Sequence, residues 1–168
     1  MIELRKANLK DAKKEYDLLQ KIPAEENGFN NGAYSLTYDE FKNDLLPTWL
    51  ANEKGEKLPE GYVPCTHYFL WVDDVPVGLY RLRHYLNDFL RNGAGHIGYG
   101  IAKEYRGKGY ATIGLKLCLE KAKQLPIDTP EAYLSSLKSN PASLQVMLKN
   151  GGYVHHEDDT DYYTRIPL

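Results

Sequence analysis

The segment from residue 96 to residue 125 constrains the fold of this chain more than any other. HIGYGI (96–101) has the apolar character of a strand, and the glycine loop YRGKGYA (105–111) follows it closely. Behind the loop, apolar residues recur at the spacing of one helix face, at Ala111, Leu115, Cys118, Ala122 and Leu125. The sequence therefore predicts a strand, a glycine loop and the N-terminus of a helix in direct succession.

The loop YRGKGYA has the chemistry of an anion site. The first N–H groups of a helix have no intrahelical partner, and the helix dipole adds partial positive charge there. Gly107 and Gly109 allow the backbone to come close to a ligand, while Arg106 and Lys108 add formal positive charge. A loop of this kind between a strand and a helix is suited to phosphate.

Two common phosphate-binding patterns are excluded. A Walker A loop would need glycine at Ala102, and a dinucleotide fingerprint would need glycine at Thr112. A third pattern, R/Q-x-x-G-x-G/A, is met at Gly107 and Gly109, with Glu104 in place of the first Arg or Gln.

The remaining segments predict a single α+β (mixed α/β) domain over residues 1–168. Helices are predicted from about Asp11, from a capping box at Thr37 and Glu40, and from Asn140 as N-cap. Residues 23–33 and 52–66 are predicted as loops. Strands are predicted at Ile2–Ala7, His67–Val72, Pro76–Tyr85, His96–Ile101, Ala132–Leu137, Tyr153–His156 and Tyr162–Ile166.

Charge and composition restrict the partners. The formal net charge of −2 argues against a nucleic-acid-binding surface, and no apolar run is long enough for a membrane helix or a signal peptide. Cys65 and Cys118 lie far apart without the spacing of a metal site, so a reduced, cytoplasmic protein is expected. The segment HHEDDTD (155–161) is interpreted as a solvated turn, and no metal is predicted.

Together the strand, the loop and the segment NPASLQVMLKNGGY (140–153) resemble the GNAT N-acetyltransferase superfamily. RLRHYLN (81–87) and GHIGYGI (95–101) are most similar to bacterial members of that family without a defined substrate. The resemblance implies a mostly antiparallel, twisted sheet of about seven strands flanked by about four helices.

The resemblance also implies acetyl-CoA as co-substrate. The strands that hold Ile101 and Leu134 would separate to admit its pantetheine arm. The backbone of 100–102 would bind the acetyl and pantetheine groups, N–H groups from 106 to 111 would bind the pyrophosphate, and a second helix would contribute two side chains. The residues predicted to bind acetyl-CoA are therefore Gly100, Ile101, Ala102, Arg106, Gly107, Lys108, Gly109, Tyr110, Ala111, Asn140 and Ser143.

Acetyl transfer to an amine needs an oxyanion donor and a route for protons. The N–H near Ile101 is the candidate oxyanion donor. His96, His84 and Glu104 are candidates for the base, and Arg83 is a candidate for binding a substrate carboxylate.

The position at which the family often has its general acid is occupied by a different residue type in this chain. Many members have a tyrosine seven residues after the asparagine, and here Met147 stands at that position. Tyr99, Tyr110 and Tyr153 are alternative proton donors, as is water.

The sequence thus predicts an acetyl-CoA-dependent N-acetyltransferase that acts on a primary amine of a small molecule by direct attack in a ternary complex. The alternatives are a weak or inactive acyl-CoA sensor and an acetyltransferase for a protein amine. Residues 22–38 and 52–66 are expected to line the acceptor site, and a homodimer is possible because dimers are common in the family.

Overall fold

The computed structural model describes residues 1–168, and its elements are numbered in chain order. The strands are β1 Ile2–Lys6, β2 Glu25–Glu26, β3 Phe29–Asn30, β4 Cys65–Val72, β5 Val75–Arg83, β6 Ile97–Ile101, β7 Glu131–Leu137, β8 Tyr153–Glu157 and β9 Asp161–Pro167. The α-helices are α1 Ala12–Leu19, α2 Tyr38–Glu40, α3 Leu46–Glu53, α4 Asp88–Arg91, α5 Tyr110–Ala122 and α6 Pro141–Lys149. A π-helical turn at Phe41–Leu45 joins α2 to α3, and a 3₁₀ turn at Lys103–Tyr105 precedes the glycine loop.

The strands form two antiparallel sheets and a small hairpin. One sheet has the order β1-β4-β5-β6, the other has the order β7-β9-β8, and β2 pairs only with β3. The predicted mixed α/β fold with about seven main strands is confirmed. None of the helices is both long and apolar enough to cross a bilayer.

Two elements depart from the sequence prediction. The stretch 23–33, predicted as a loop, contains the β2–β3 hairpin, which turns at Asn27 and Gly28 with φ of 53° and 82°. An Asn-Gly pair is a strong signal for such a turn, and the sequence analysis missed it. The short helix α4 was also missed, although the Asn87 side chain caps it by accepting from the Leu90 N–H at 2.9 Å.

The helical region from 38 to 53 begins where the sequence predicts. Thr37 Oγ1 accepts from the Glu40 N–H at 3.1 Å, and the Glu40 carboxylate accepts from the Thr37 N–H at 3.0 Å, which completes the capping box. Pro47 cannot donate to the helix ladder, and the π-helical turn lies immediately before it. The helix continues through this irregularity to Glu53.

Hydrophobic clusters cover both faces of the first sheet. Leu70, Tyr80 and Leu82 face α5 and α6, whereas Phe69 and Leu79 face α1 and α3, as alternation along a strand requires. Of 168 residues, 43 are buried. The first sheet therefore separates a helix-covered side that carries α5 from a side on which α3 and the hairpin lie.

The two sheets meet at only one point along β6 and β7. Gly95 and Leu134 form an isolated bridge, and the His96 N–H donates to Tyr133 O at 2.6 Å. No ladder joins the strands beyond this point. The outer edge of β6 is therefore left open next to β7, and this opening holds a large cavity.

Candidate active site

A cavity of 1110 Å³ runs through the opening between β6 and β7. The glycine loop, β6 and α6 line the part that we call the glycine-loop end, and the hairpin, α3 and the loop after α3 line the part that we call the acceptor end. The segments 22–38 and 52–66, expected to line the acceptor site, both contribute to its walls.

The glycine-loop end of the cavity has the geometry of an anion cradle. Gly107 and Gly109 have φ of 77° and 81°, a region that favours glycine. The backbone N–H groups from Gly107 to Thr112 donate to no group of the chain, and no side chain caps α5. A row of free N–H groups at the positive end of a helix dipole is suited to a pyrophosphate.

The cradle begins one residue later than the sequence predicts. The Arg106 N–H already donates to Lys103 O at 3.2 Å, so it is not free for a ligand. The Arg106 guanidinium donates to Ile101 O at 2.9 Å and pairs with Glu26 of the hairpin. Arg106 therefore ties the hairpin to the loop, while Thr112 extends the cradle at its other end.

The open edge of β6 presents alternate backbone groups. The Arg83 N–H donates to His96 O and the Ala102 N–H donates to Val77 O, so the even-numbered residues of this strand bond to β5. The N–H groups of Tyr99 and Ile101 consequently face the opening. Of the predicted residues Gly100, Ile101 and Ala102, only Ile101 directs its N–H into the cavity.

The other wall of the opening is formed by α6. Asn140 occupies the N-cap position but makes no capping hydrogen bond, contrary to the sequence prediction, and it lines the cavity. The Tyr99 hydroxyl lies 3.0 Å from Ser143 Oγ and 3.3 Å from Ser143 O, so it spans the opening. Met147 is buried, and its sulfur accepts from the Thr164 hydroxyl at 3.2 Å.

Comparison with known proteins identifies the family. The model of the acetyltransferase (GNAT) domain matches residues 2–152. The chain belongs to the GNAT acetyltransferase family. No curated protein sequence matches it.

Solved structures of GNAT proteins share the fold over nearly the whole chain. The ribosomal L7/L12 α-N-protein acetyltransferase in complex with coenzyme A superposes with a TM-score of 0.68 at 17% identity, covering 98% of this chain and 92% of that chain. A spermidine N-acetyltransferase chimera from Vibrio cholerae and a human enzyme gives 0.64 at 15% identity, covering 99% and 95%. The microcin C7 self-immunity acetyltransferase, in complex with acetyl-CoA and AMP, gives 0.70 at 14% identity, covering 99% and 92%.

In this GNAT protein His96 lies outside the cavity lining. Its side chain is fully buried, Nδ1 accepts from the Tyr133 N–H at 2.9 Å, and Nε2 has no partner. Burial lowers the pKa of His96 to about 4. A base must reach the proton that it removes, so this placement does not support the predicted catalytic role.

The other predicted proton carriers also lie outside the cavity lining. His84 Nε2 lies 2.7 Å from the Thr66 hydroxyl, the Tyr153 hydroxyl donates to Glu131 at 2.7 Å, and Glu104 pairs with Lys21 at 2.8 Å. None of these three predicted side chains lines the cavity, whereas Tyr99 and Tyr110 do. The exposed His155 and His156 contact each other, and no group of three or more His, Cys, Asp or Glu side chains is arranged to hold a metal.

The acceptor end contains residues that the sequence analysis did not single out. His67 stacks on Trp49 with ring centroids 4.0 Å apart, and the guanidinium of Arg81 lies 4.6 Å from the Phe29 ring centroid. Strand pairing places His67 opposite Arg81, and alternation places Arg83 on the same face. All of these residues line the cavity. The sequence analysis named Arg83 as a candidate for substrate binding and placed Phe29 in a segment expected to line the acceptor site, but it did not name Trp49, His67 or Arg81.

Proposed function

We propose that this chain transfers the acetyl group of acetyl-CoA to a primary amine of a small molecule by direct attack. The observation that carries the proposal is one continuous cavity that joins the anion cradle, the open edge of β6 and a separate acceptor end. Both substrates fit into one space, which is what a ternary complex requires.

The groups of the chain that would bind coenzyme A follow the order of its parts, from the pyrophosphate to the pantetheine arm. The N–H groups from Gly107 to Thr112 hold the pyrophosphate, and Asn140 and Ser143 contact the arm from α6. Acetyl-CoA bound in this way supplies an acetyl thioester beside the open edge of β6.

The Ile101 N–H is assigned as the oxyanion donor. It faces the opening because its neighbours in the strand bond to β5. A fixed backbone N–H stabilises negative charge on the carbonyl oxygen in the transition state without reorganisation. The Arg106 contact to Ile101 O fixes the adjacent peptide unit, Ile101–Ala102.

Tyr99 is assigned as the group that stabilises the departing thiolate. Its hydroxyl reaches Ser143, which lies one helical turn before Met147, the position at which many family members have a tyrosine. The hydroxyl that α6 lacks is therefore supplied from β6. Burial raises the pKa of Tyr99 to about 12, which keeps the phenol protonated and able to donate.

No side chain is assigned as the base. The carboxylate that lines the cavity, Glu26, is paired with Arg106, and burial lowers the pKa of His67 well below its usual value. The amine therefore loses its proton to water at the cavity mouth and attacks in the neutral form. As the C–N bond forms and the C–S bond breaks, the attacking nitrogen loses a second proton to water and the thiolate leaves.

Direct attack is favoured over a covalent acetyl-enzyme. Cys65 lines the cavity, but burial raises the pKa of its thiol and its contact, at 3.8 Å, is the backbone oxygen of Thr66. A protonated thiol is a poor nucleophile. Both cysteines are free thiols, which fits the cytoplasmic location that we propose.

The test is thiol release from acetyl-CoA against a panel of amino acids, polyamines and aminosugars. The matched control is Gly109→Trp, which places a large side chain in the cradle at φ 81°. Release that depends on the amine and is lost in the control supports the proposal. Binding of coenzyme A without transfer to any amine contradicts it and favours the acyl-CoA sensor.

A further inference from the structure

The acceptor end of the cavity contains two arginines without a carboxylate partner. Arg81 and Arg83 lie two residues apart on one face of β5. The other charged residues of the lining, Glu26 and Arg106, are paired with each other. The acceptor end therefore carries uncompensated positive charge, although the chain as a whole has a net charge of −2.

Neutral groups fix the direction of both guanidinium groups. Arg81 donates to Asn30 O and lies over the Phe29 ring, and Arg83 donates to Gly95 O at 3.1 Å. These contacts use few of the N–H groups that a guanidinium offers. The remaining donors are available to a ligand in the cavity.

Burying the two guanidinium groups of Arg81 and Arg83 costs free energy, and no carboxylate of the chain offsets this cost. Burial and the nearby charge of Arg83 lower the pKa of Arg81 to about 10, and burial lowers the pKa of Arg83 as well. Both side chains remain charged at neutral pH, because an arginine in a protein keeps its proton. Like charges in a half-buried site repel each other, and an anion between them would remove the repulsion.

The space beside the arginines leads to the open edge of β6. Gly98 lies opposite Arg81, and a Cβ at Gly98 would meet no atom within 4 Å. A molecule held by the arginines can therefore lie over Gly98 of β6, beside the Phe29 ring, which covers Gly100 on the way to the Ile101 N–H.

We propose that the acceptor is an amine that also carries an anionic group, a carboxylate or a phosphate, and that Arg81 and Arg83 bind this group. The inference rests on the proposed function and narrows its substrate class. Guanidinium groups bind both anions by paired hydrogen bonds. Polyamines carry only positive charge, so the same arginines repel them.

The experiment compares amines in matched pairs. Each amino acid is tested against its carboxamide, and O-phosphoethanolamine against ethanolamine, by thiol release from acetyl-CoA. Hydrogen bonds to a charged group stabilise enough to favour the anionic member in kcat/KM by about tenfold or more. For each pair, kcat/KM of the anionic member is divided by kcat/KM of the other member. The pair with the larger ratio shows whether the site prefers a carboxylate or a phosphate.

Variants connect the preference to the arginines. Arg81→Gln and Arg83→Gln are expected to bring the ratio close to one, and Arg83→Lys to retain part of it, because lysine keeps the charge but not the fork. Lys116→Gln, on the exposed surface of α5, removes a positive charge elsewhere and should leave the ratio unchanged. Neutral amines or polyamines that react as fast as the anionic amines would overturn the inference, as would an unchanged ratio in both Gln variants.

A second readout separates this inference from the proposed function. Inorganic phosphate and acetate are titrated into the protein saturated with coenzyme A, which occupies the cradle. Tryptophan fluorescence is followed, to which Trp49 beside His67 contributes together with Trp71. Saturable binding that is lost in Arg83→Gln supports the anion site even if no amine is acetylated. No saturable binding of either anion to the unmodified protein, or binding that the variant retains, overturns it.

Discussion

The Tyr99 hydroxyl is the side-chain donor on which the proposed chemistry depends. Tyr99→Phe keeps the ring that stacks on Tyr80 with centroids 5.4 Å apart, but it removes the proton donor. We expect kcat to fall about 10²-fold with little change in coenzyme A affinity. Steady-state kinetics measure this, and Tyr153→Phe is the comparison. If Tyr153 is the acid instead, as the sequence alone also allows, the two variants will show the reverse.

Glu15 is buried on α1 and gives the fold a pH dependence. One of its oxygens accepts from the Asn8 N–H at 3.0 Å and the other has no partner. Burial raises the pKa of Glu15 from 4.5 to about 8. The unfolded chain ionises first, so the stabilising effect of the protonated group is complete below pH 4.5 and is lost as pH rises towards 8.

Glu15→Gln should remove this loss. We expect the variant to exceed the parent in free energy of unfolding by about 2 kcal/mol at pH 8, with a smaller difference at pH 5. Urea unfolding at the two pH values measures it. Glu120→Gln, in an exposed ion pair with Lys123, is the control. A parent and a Glu15→Gln variant with the same pH dependence would show that this carboxyl ionises normally in the fold.

At the scale of elements, the cradle depends on the left-handed backbone of the glycine loop. Gly109→Ala places a Cβ in open space at φ 81°, so the effect is conformational strain of about 1 kcal/mol and not a clash. We expect coenzyme A to bind about tenfold more weakly. Gly151→Ala has the same open space at φ 86° after α6 and serves as the matched control. Calorimetric titration of both variants measures the difference, and equal affinities would contradict the role of the loop.

The β2–β3 hairpin should affect the binding of the acceptor amine and not the binding of coenzyme A. Gly28→Ala strains the turn at φ 82°, and the hairpin carries Phe29 and Asn30, the contacts of Arg81. We expect KM for the acceptor to rise about tenfold while coenzyme A affinity stays unchanged. Gly55→Ala, at φ 81° in a turn outside the cavity lining, is the control. A change in coenzyme A affinity alone would contradict this division.

The sequence predicts the elements whose signals are local. The helical period after the glycine loop and the capping box at Thr37 both correspond to helices, because each depends on residues a few positions apart. The turn at Asp73 and Asp74 predicts that β4 pairs with β5, but it does not predict the register of the pair. A two-residue turn at Asp73 and Asp74 implies that His67 lies opposite Tyr80, but an irregularity between Leu70 and Trp71 shifts the register by one residue, to Arg81.

At the scale of the whole molecule, the sequence shows the acetyl-CoA half of the site residue by residue, whereas for the acceptor half it indicates only Arg83 and the segments 22–38 and 52–66. The anion cradle lies within one short segment of the sequence. Asn140 and Ser143 were predicted to bind acetyl-CoA because of the resemblance to the GNAT family. The acceptor end combines Phe29, Trp49, His67 and Arg81, which come from four distant segments and meet only in the folded chain. The burial of His96 likewise depends on contacts with β7 that no local pattern reports.

Initial-velocity kinetics test the central claim, that one cavity holds donor and acceptor together for direct transfer. Acetyl-CoA and the best anionic amine are varied against each other in a matrix of concentrations. The account predicts intersecting lines in double-reciprocal plots, because both substrates must be bound before thiol is released. Parallel lines, with an acetylated protein detected by mass spectrometry when the amine is omitted, would contradict it and would point to a covalent intermediate on a residue such as Cys65.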